Sequence, residues 1–271
     1  MSDELVFIEN DVQDKDSLAW KKLCEYIDNL IVSGDDEFCP IEFLGRDLYS
    51  QIYTLPQSIA KLKKVKKIWL YGSKLKRIPP EIGEMEALEY FDPYTSYNLH
   101  WLPYEIINCQ NLKDSRISTR ALYGNYKFRN PFPDLSDNPV RYENSTVKCS
   151  ICKKEMSYQE TNQMWISLWI GTDVVPLLVN LCSENCKNKL PYPPKGHLKF
   201  PHKGGSTLIQ KATQQERWEK KYKNQELTER TVEKVKDALE SNSTDTEGDE
   251  GLTLDVSKLK SSKLVRKIWN K

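Results

Sequence analysis

With 271 residues, 38% hydrophobic and 29% charged, the chain has room for about two soluble domains. A net charge of +1 gives no general pull toward nucleic acid or an anionic membrane. No run of about twenty apolar residues is present, so no membrane span is expected. The acidic opening, Met1-Ser-Asp-Glu-Leu-Val-Phe, lacks the basic-then-apolar build of a secretory signal. A cytoplasmic setting with reduced thiols is therefore expected, and seven cysteines, an odd set, argue against a pure disulfide framework.

Residues 1–36 are expected to form a helical cap. Asp16-Ser17 supplies a helix start, Trp20, Leu23, Cys24, Ile27, Leu30 and Ile31 recur at helical spacing, and Ser33-Gly34 supplies the stop. Residues 37–125 carry a repeat. A phrase begins at Leu55-Pro56, Ile78-Pro79 and Leu102-Pro103, spaced by 23 and 24 residues. Each start is followed by Ile59, Ile82 or Ile106, then Leu62, Met85 or Cys109, then Val65, Leu88 or Leu112. In the second unit Val65, Ile68, Leu70, Leu75 and Ile78 keep the spacing of one short strand and its return, with Ser73 where a side chain bonds the turning backbone. An earlier partial unit, Ile41, Phe43, Ile52 and Leu55, fits only with an insertion. The third unit breaks at Pro93, which cannot donate to a ladder, and the last offers only Ser115 and Ile117 as inward residues.

The phrase L-P-x-x-I-x-x-L-x-x-L resembles the bacterial-type leucine-rich repeat family over about a third of the chain. The resemblance implies an α/β fold: a short solenoid of three clear units and one degenerate one, which needs caps and binds partners rather than catalysing.

Residues 126–205 change character. Cys149-Ser-Ile-Cys152 precedes a strand-like Met164–Ile170, a Gly171-Thr-Asp turn and a return strand, Val174–Leu181, that leads into Cys182-Ser-Glu-Asn-Cys186. Two close cysteine pairs flanking a hairpin are the spacing of a structural Zn²⁺ site, because four thiolates fill a tetrahedron and leave no position for water. Knuckle, hairpin and ligand-bearing helix start together resemble the treble-clef zinc fold, which implies a small α+β module with Cys149, Cys152, Cys182 and Cys186 as ligands. His197 or His202 could replace one cysteine, and a redox role for Cys149-Cys152 is disfavoured because no βαβ context surrounds it. Residues 206–240 read as a charged C-terminal helix starting at Ser206-Thr207, and 241–271 as a flexible acidic linker with a basic, amphipathic tail.

Strand alternation selects the residues facing the concave side of the repeats. These are Lys67, Trp69 and Tyr71, then Tyr90, Asp92 and Tyr94, then Asp114, Arg116 and Ser118. Aromatics beside Arg and Asp are the composition of binding hot spots, so a protein partner is expected there. The alternative is a nucleic-acid adaptor, using Lys153, Lys154, Lys187 and Lys189 beside the cysteines and the basic tail. No nucleophile elbow, H-E-x-x-H or phosphate loop is present, and no catalysis is expected; a ligase-like activity would need thiols that the metal spacing already claims.

Overall fold

The computed structural model describes residues 13–125, 127–136, 139–142 and 145–241. It is a mixed α/β structure with small sheets and few helices, and the chain divides into two compact units, Met1–Glu216 and Arg217–Lys271.

Helix α1 (Leu18–Ser33) lies where the sequence signals put it. The Ser17 hydroxyl accepts from the Trp20 N–H, and left-handed Gly34 (φ 73°) returns its N–H to the Leu30 carbonyl. Leu23 and Ile27 are fully buried, whereas Cys24 is half-buried and Ile31 is 40% exposed. The partial unit expected at Ile41 and Phe43 is corrected: those residues lie on helix α2 (Pro40–Tyr49), and the strand precedes them as β1 (Glu37–Phe38). Pro40 sits at the first helical position, where its missing N–H costs nothing, and Phe38 takes the inward position.

Strands β2 (Lys67–Trp69), β3 (Tyr90–Asp92) and β5 (Asp114–Ser115) join β1 in a parallel sheet of order β1-β2-β3-β5. The register aligns Phe38, Ile68, Phe91 and Ser115 in one column and Glu37, Lys67, Tyr90 and Asp114 in the next. The first column faces the core and the second faces outward. β3 stops before Pro93, as its missing donor requires. Each Leu-Pro or Ile-Pro phrase leads into a 3-10 turn, at Gln57–Lys61, Pro80–Glu84 and Tyr104–Asn108. The prolines hold φ near −70° and cap these turns, which bury Ile59, Ile82 and Ile106 against one another. At the bend after β2, the Ser73 hydroxyl accepts from the Leu75 N–H (3.4 Å) and meets the Ser96 hydroxyl at 2.6 Å.

Two antiparallel strands, β8 (Asn162–Ile170) and β9 (Asp173–Leu181), form the hairpin expected from the two strand-like runs and the Gly171-Thr-Asp turn between them. Strand β4 (Leu102–Pro103) runs parallel to β9 rather than joining the first sheet, so the third Leu-Pro phrase is stitched to the hairpin. The hairpin turn also seats on β5. The Ser115 hydroxyl donates to the Ile170 carbonyl (2.8 Å) and meets Asp173 Oδ2 at 3.0 Å, and the Thr172 hydroxyl donates to the Ser115 carbonyl (2.8 Å). Ser115, a weak core residue by composition, is thus a docking residue.

The two faces of the hairpin serve two cores. Ile166 and Leu177 join the main cluster with α1 and the 3-10 turns, while Trp165 and Leu178 pack with Trp101, Phe132, Leu135 and Val140. Trp165 is fully buried and its indole N–H donates to the Pro133 carbonyl at 3.0 Å, so its polar atom is satisfied.

Helix α4 (Gln214–Ser241) begins later than Ser206-Thr207 suggests. Thr213 and Glu216 form a reciprocal capping box there, with each backbone N–H donating to the other's side chain (2.6 and 3.0 Å). Upstream, Gly204 and Gly205 adopt φ of 81° and 85° and pack against Pro133 and Asp134, an arrangement open only to glycine. Trp218, Tyr222, Leu227 and Val235 on α4 are exposed. The basic tail and most of the linker lie outside the described residues.

Candidate metal centre

The four cysteines come from two chain segments that the hairpin brings back to one point. Strand β6 (Thr146–Lys148) delivers Cys149, and β7 (Glu155–Ser157) leaves the knuckle antiparallel to it. Within the knuckle the Cys149 N–H donates to the Lys154 carbonyl (2.8 Å) and the Lys153 N–H to the Cys149 carbonyl (2.9 Å). Ser150 fastens the knuckle to β9: its N–H donates to the Asn180 carbonyl (2.7 Å) and its hydroxyl accepts from the Asn180 N–H (3.0 Å). Cys182 follows β9 directly, and the Ser183 hydroxyl caps helix α3 (Glu184–Lys187) by accepting from the Cys186 N–H.

All four sulfurs lie within 4.8 Å of one another. Cys182 stands 3.5 Å from both Cys152 and Cys186. Thiolates about 2.3 Å from a tetrahedral ion stand about 3.8 Å apart, close to these separations, so this donor set could hold one metal ion. Cys149 and Cys186 are buried, Cys182 is half-buried and Cys152 is exposed, which places the centre at the surface with two ligands rooted in the core.

The electrostatics also call for a cation. Burial opposes charge on Cys149, but the backbone N–H groups of Cys152, Ile151 and Cys182 outweigh it and bring the thiol down to about 7. At Cys186 the Ser183 hydroxyl favours the thiolate, but the crowding sulfurs of Cys182, Cys152 and Cys149 push it up to about 12. Four thiolates this close ionise together only around a positive ion. The histidines stand outside the set. Burial lowers His202 to about 4, its ring Nδ1 accepts from the Gly204 N–H (3.2 Å), and His197 is absent from the cluster. Cys109, at the repeat position of Leu62 and Met85, is a buried filler whose thiol donates to the Ile82 carbonyl at 3.2 Å.

Lys153 adopts a left-handed backbone (φ 64°) at the position that closes the knuckle. A side chain there costs about 1–2 kcal/mol. We therefore expect Lys153→Gly to match or exceed wild-type stability by about 0.5 kcal/mol, the relief being partly offset by chain entropy. Lys153→Val should lose at least about 1 kcal/mol. Urea midpoints measured with metal in excess check both.

The residues expected to meet a partner share one side of the parallel sheet, with two exceptions. Trp69 and Tyr90 are in ring contact (4.9 Å), as are Tyr71 and Tyr94 (6.0 Å), and the Arg116 guanidinium lies 4.3 Å from the Tyr94 ring centre. Tyr71 is 51% exposed. Glu37, not identified from the sequence, belongs to this set. It accepts from Lys67 Nζ (2.7 Å) and the Trp69 indole (2.9 Å), and these bonds hold its carboxyl below the usual range. Its only signal in the sequence is its place one residue before Phe38, the inward residue of the first strand. The first exception is Asp92, which is buried rather than presented. Its carboxylate accepts from the Tyr94 N–H (2.9 Å) and the Tyr90 hydroxyl (3.1 Å) and stands 3.8 Å from Arg116, so it shapes the corner at Pro93. The second is Ser118, buried while accepting from the Thr95 N–H (2.7 Å). Asp114 is exposed beside the hairpin turn, where Thr172 donates to it at 3.3 Å.

Among the described residues no helix is long and apolar enough to cross a membrane. No protein-family model, curated protein or solved structure matches this chain.

Proposed function

We propose that this chain is a non-catalytic interaction protein: a short leucine-rich repeat solenoid that holds a protein partner on its concave face, braced by a structural zinc centre. The repeat reading is supported by the 23- and 24-residue spacing of the 3-10 turns and by the parallel register that stacks Phe38, Ile68 and Phe91. Zinc is the ion that four thiolates in a reducing cytoplasm most readily select, and a closed tetrahedron gives it a structural role in a treble-clef-like module.

The observation that carries the binding reading is the aromatic strip. Trp69, Tyr71, Tyr90 and Tyr94 are clustered and at least partly exposed on the outward side of a sheet whose other side is core. Rigid aromatics of this kind dominate the energetics of protein interfaces. The test is capture from native extract followed by binding of the purified partner to wild type and to a Trp69→Ala/Tyr94→Ala double variant. Loss of about 2 kcal/mol per hot spot, or about thirtyfold each, is expected. Equal binding by the double variant sinks the reading.

The nucleic-acid alternative rests on Lys153, Lys154, Lys187 and Lys189 and on the basic tail. Lys187 already pairs with Glu184 (3.1 Å), which offsets its charge, whereas Lys153 Nζ donates to the neutral Ser150 carbonyl (3.0 Å) and keeps its own. A steep salt dependence of binding to DNA or RNA would favour this alternative.

A further inference from the structure

The four cysteines of the metal centre are unequal in access. Cys149 and Cys186 are buried in the main core and half-buried Cys182 packs against it, whereas Cys152 is exposed and takes no part in that core. A reagent in solution therefore meets one sulfur first. Cys152 lies in the tight loop between β6 and β7, next to left-handed Lys153.

The sulfur beside Cys152 comes from the other half of the centre. Cys182 Sγ, at the end of β9, stands 3.5 Å from Cys152 Sγ. A disulfide holds its sulfurs about 2.05 Å apart, so closing this 3.5 Å pair takes a movement of about 1.5 Å. The Cys152 side chain is outside the core packing and can supply that movement. Cys182 is equally close to Cys186 (3.5 Å), but that pair lies within one segment and neither partner is as accessible as Cys152. An accessible thiolate poised beside a second, resolving cysteine is the arrangement of oxidation-sensitive sites.

We propose that Cys152 is an oxidation site, at which hydrogen peroxide converts Cys152 and Cys182 into a disulfide and opens the metal centre. The Cys152 thiolate attacks one peroxide oxygen, the O–O bond breaks, and with one proton taken up a water leaves and Cys152 becomes a sulfenic acid. The Cys182 thiolate then attacks that sulfur, the S–O bond breaks, and with a second proton a second water leaves. Each sulfur has given up one electron and peroxide has taken both. Two of the four ligands are then lost, and Cys149 and Cys186 alone do not fill a tetrahedron. The release of metal rests on the zinc reading; the disulfide does not. The new bond joins the knuckle to the end of β9, the two segments that the metal joined. Oxidation and chelation therefore lead to different states, since chelation leaves nothing covalent between the halves. A thiol reductant reverses the disulfide, which makes the change a switch rather than damage.

Titration of the metal-loaded full chain with hydrogen peroxide, followed by peptide mapping without reduction, tests this. About one equivalent of peroxide should give the Cys152–Cys182 disulfide as the main product, with a chromogenic chelator reporting a matching release of Zn²⁺. Cys24 and Cys39, half-buried cysteines outside the cluster, should react at least about tenfold more slowly. Residues 146–157 should keep more of their hydrogen-exchange protection after oxidation than after chelation. In Cys182→Ser the resolving sulfur is gone, so a cyclic 1,3-dione should trap a sulfenic acid on Cys152; in Cys186→Ser the disulfide should still form. The wild-type map decides the matter even where a variant fails to fold. A main disulfide of Cys149–Cys152 or Cys182–Cys186 overturns the proposal, as does a Cys152 that reacts no faster than Cys24 and Cys39. Metal that stays bound once the Cys152–Cys182 bond has formed overturns the switch. Protein that carries no metal yet forms this disulfide supports the oxidation site and sinks the zinc reading instead.

Discussion

Stripping the metal from the four-cysteine centre is expected to unfold the knuckle and α3 while leaving β8 and β9 paired. The local elements around the cysteines cannot support themselves. β6 and β7 pair over three residues and α3 is a single four-residue turn, both below the length at which such elements persist alone. Apart from the metal, they are tied to the rest by the Ser150–Asn180 exchange and by the burial of Val147, Cys149, Met156 and Cys186 in the main core. Structural zinc supplies apparent binding energies of about 10–16 kcal/mol, as much as the whole stability of a typical domain. The hairpin differs: its ladder runs over nine residue pairs and its two faces bury Trp165 and Leu178 in one core, Ile166 and Leu177 in the other. Hydrogen exchange with and without a strong chelator should therefore show residues 146–157 and 183–187 losing protection while 163–170 and 174–181 keep it. Among single replacements, Cys149→Ser and Cys186→Ser should cost more than Cys152→Ser, because the first two ligands are buried and the third is exposed. Purified protein with less than about half an equivalent of metal, or exchange unchanged by the chelator, would falsify the assignment.

What the sequence could disclose here was set by the range of the interaction. The caps of α1 are local, because Ser17 and Gly34 bond within four residues of themselves, and they were legible. The repeat phrase recurs and the cysteine pairs flank two apolar runs joined by a Gly171-Thr-Asp turn, so these were legible too. The departures are long-range. Nothing near Leu102 says that its strand leaves the repeat sheet for Leu177, and nothing near Ser115 says that Thr172 and Asp173 complete it. Asp92 follows strict alternation and should have faced outward. It is buried because Pro93 forces a corner whose backbone N–H, at Tyr94, needs an acceptor. α4 begins at Gln214 because the reciprocal Thr213–Glu216 capping box satisfies its first N–H groups there.

That long-range seam can be weighed with glycines. Gly171 sits at the hairpin turn with φ 56°, and a Cβ there would lie 2.7 Å from the Asp114 carbonyl carbon and 2.8 Å from Ser115 N. Gly34 is left-handed (φ 73°, ψ 21°), and a Cβ there would meet only the flexible end of Lys64. Gly34→Ala therefore measures the left-handed penalty nearly alone, about 1 kcal/mol. Gly171→Ala carries that penalty plus a clash with backbone that cannot rotate away, and is expected to cost about 3 kcal/mol. Gly83 makes the reciprocal case between the second and third 3-10 turns. Its φ carries no penalty, yet a Cβ would stand 2.3 Å from the Glu105 carbonyl oxygen, so Gly83→Ala should also lose about 3 kcal/mol or more. Urea denaturation of the three variants separates these contributions. If Gly171→Ala costs no more than Gly34→Ala, the hairpin turn does not bear on β5. If it costs the expected excess, the four-cysteine segment and the repeats are one folding unit, and a loss at the seam should weaken both the metal centre and the aromatic face together.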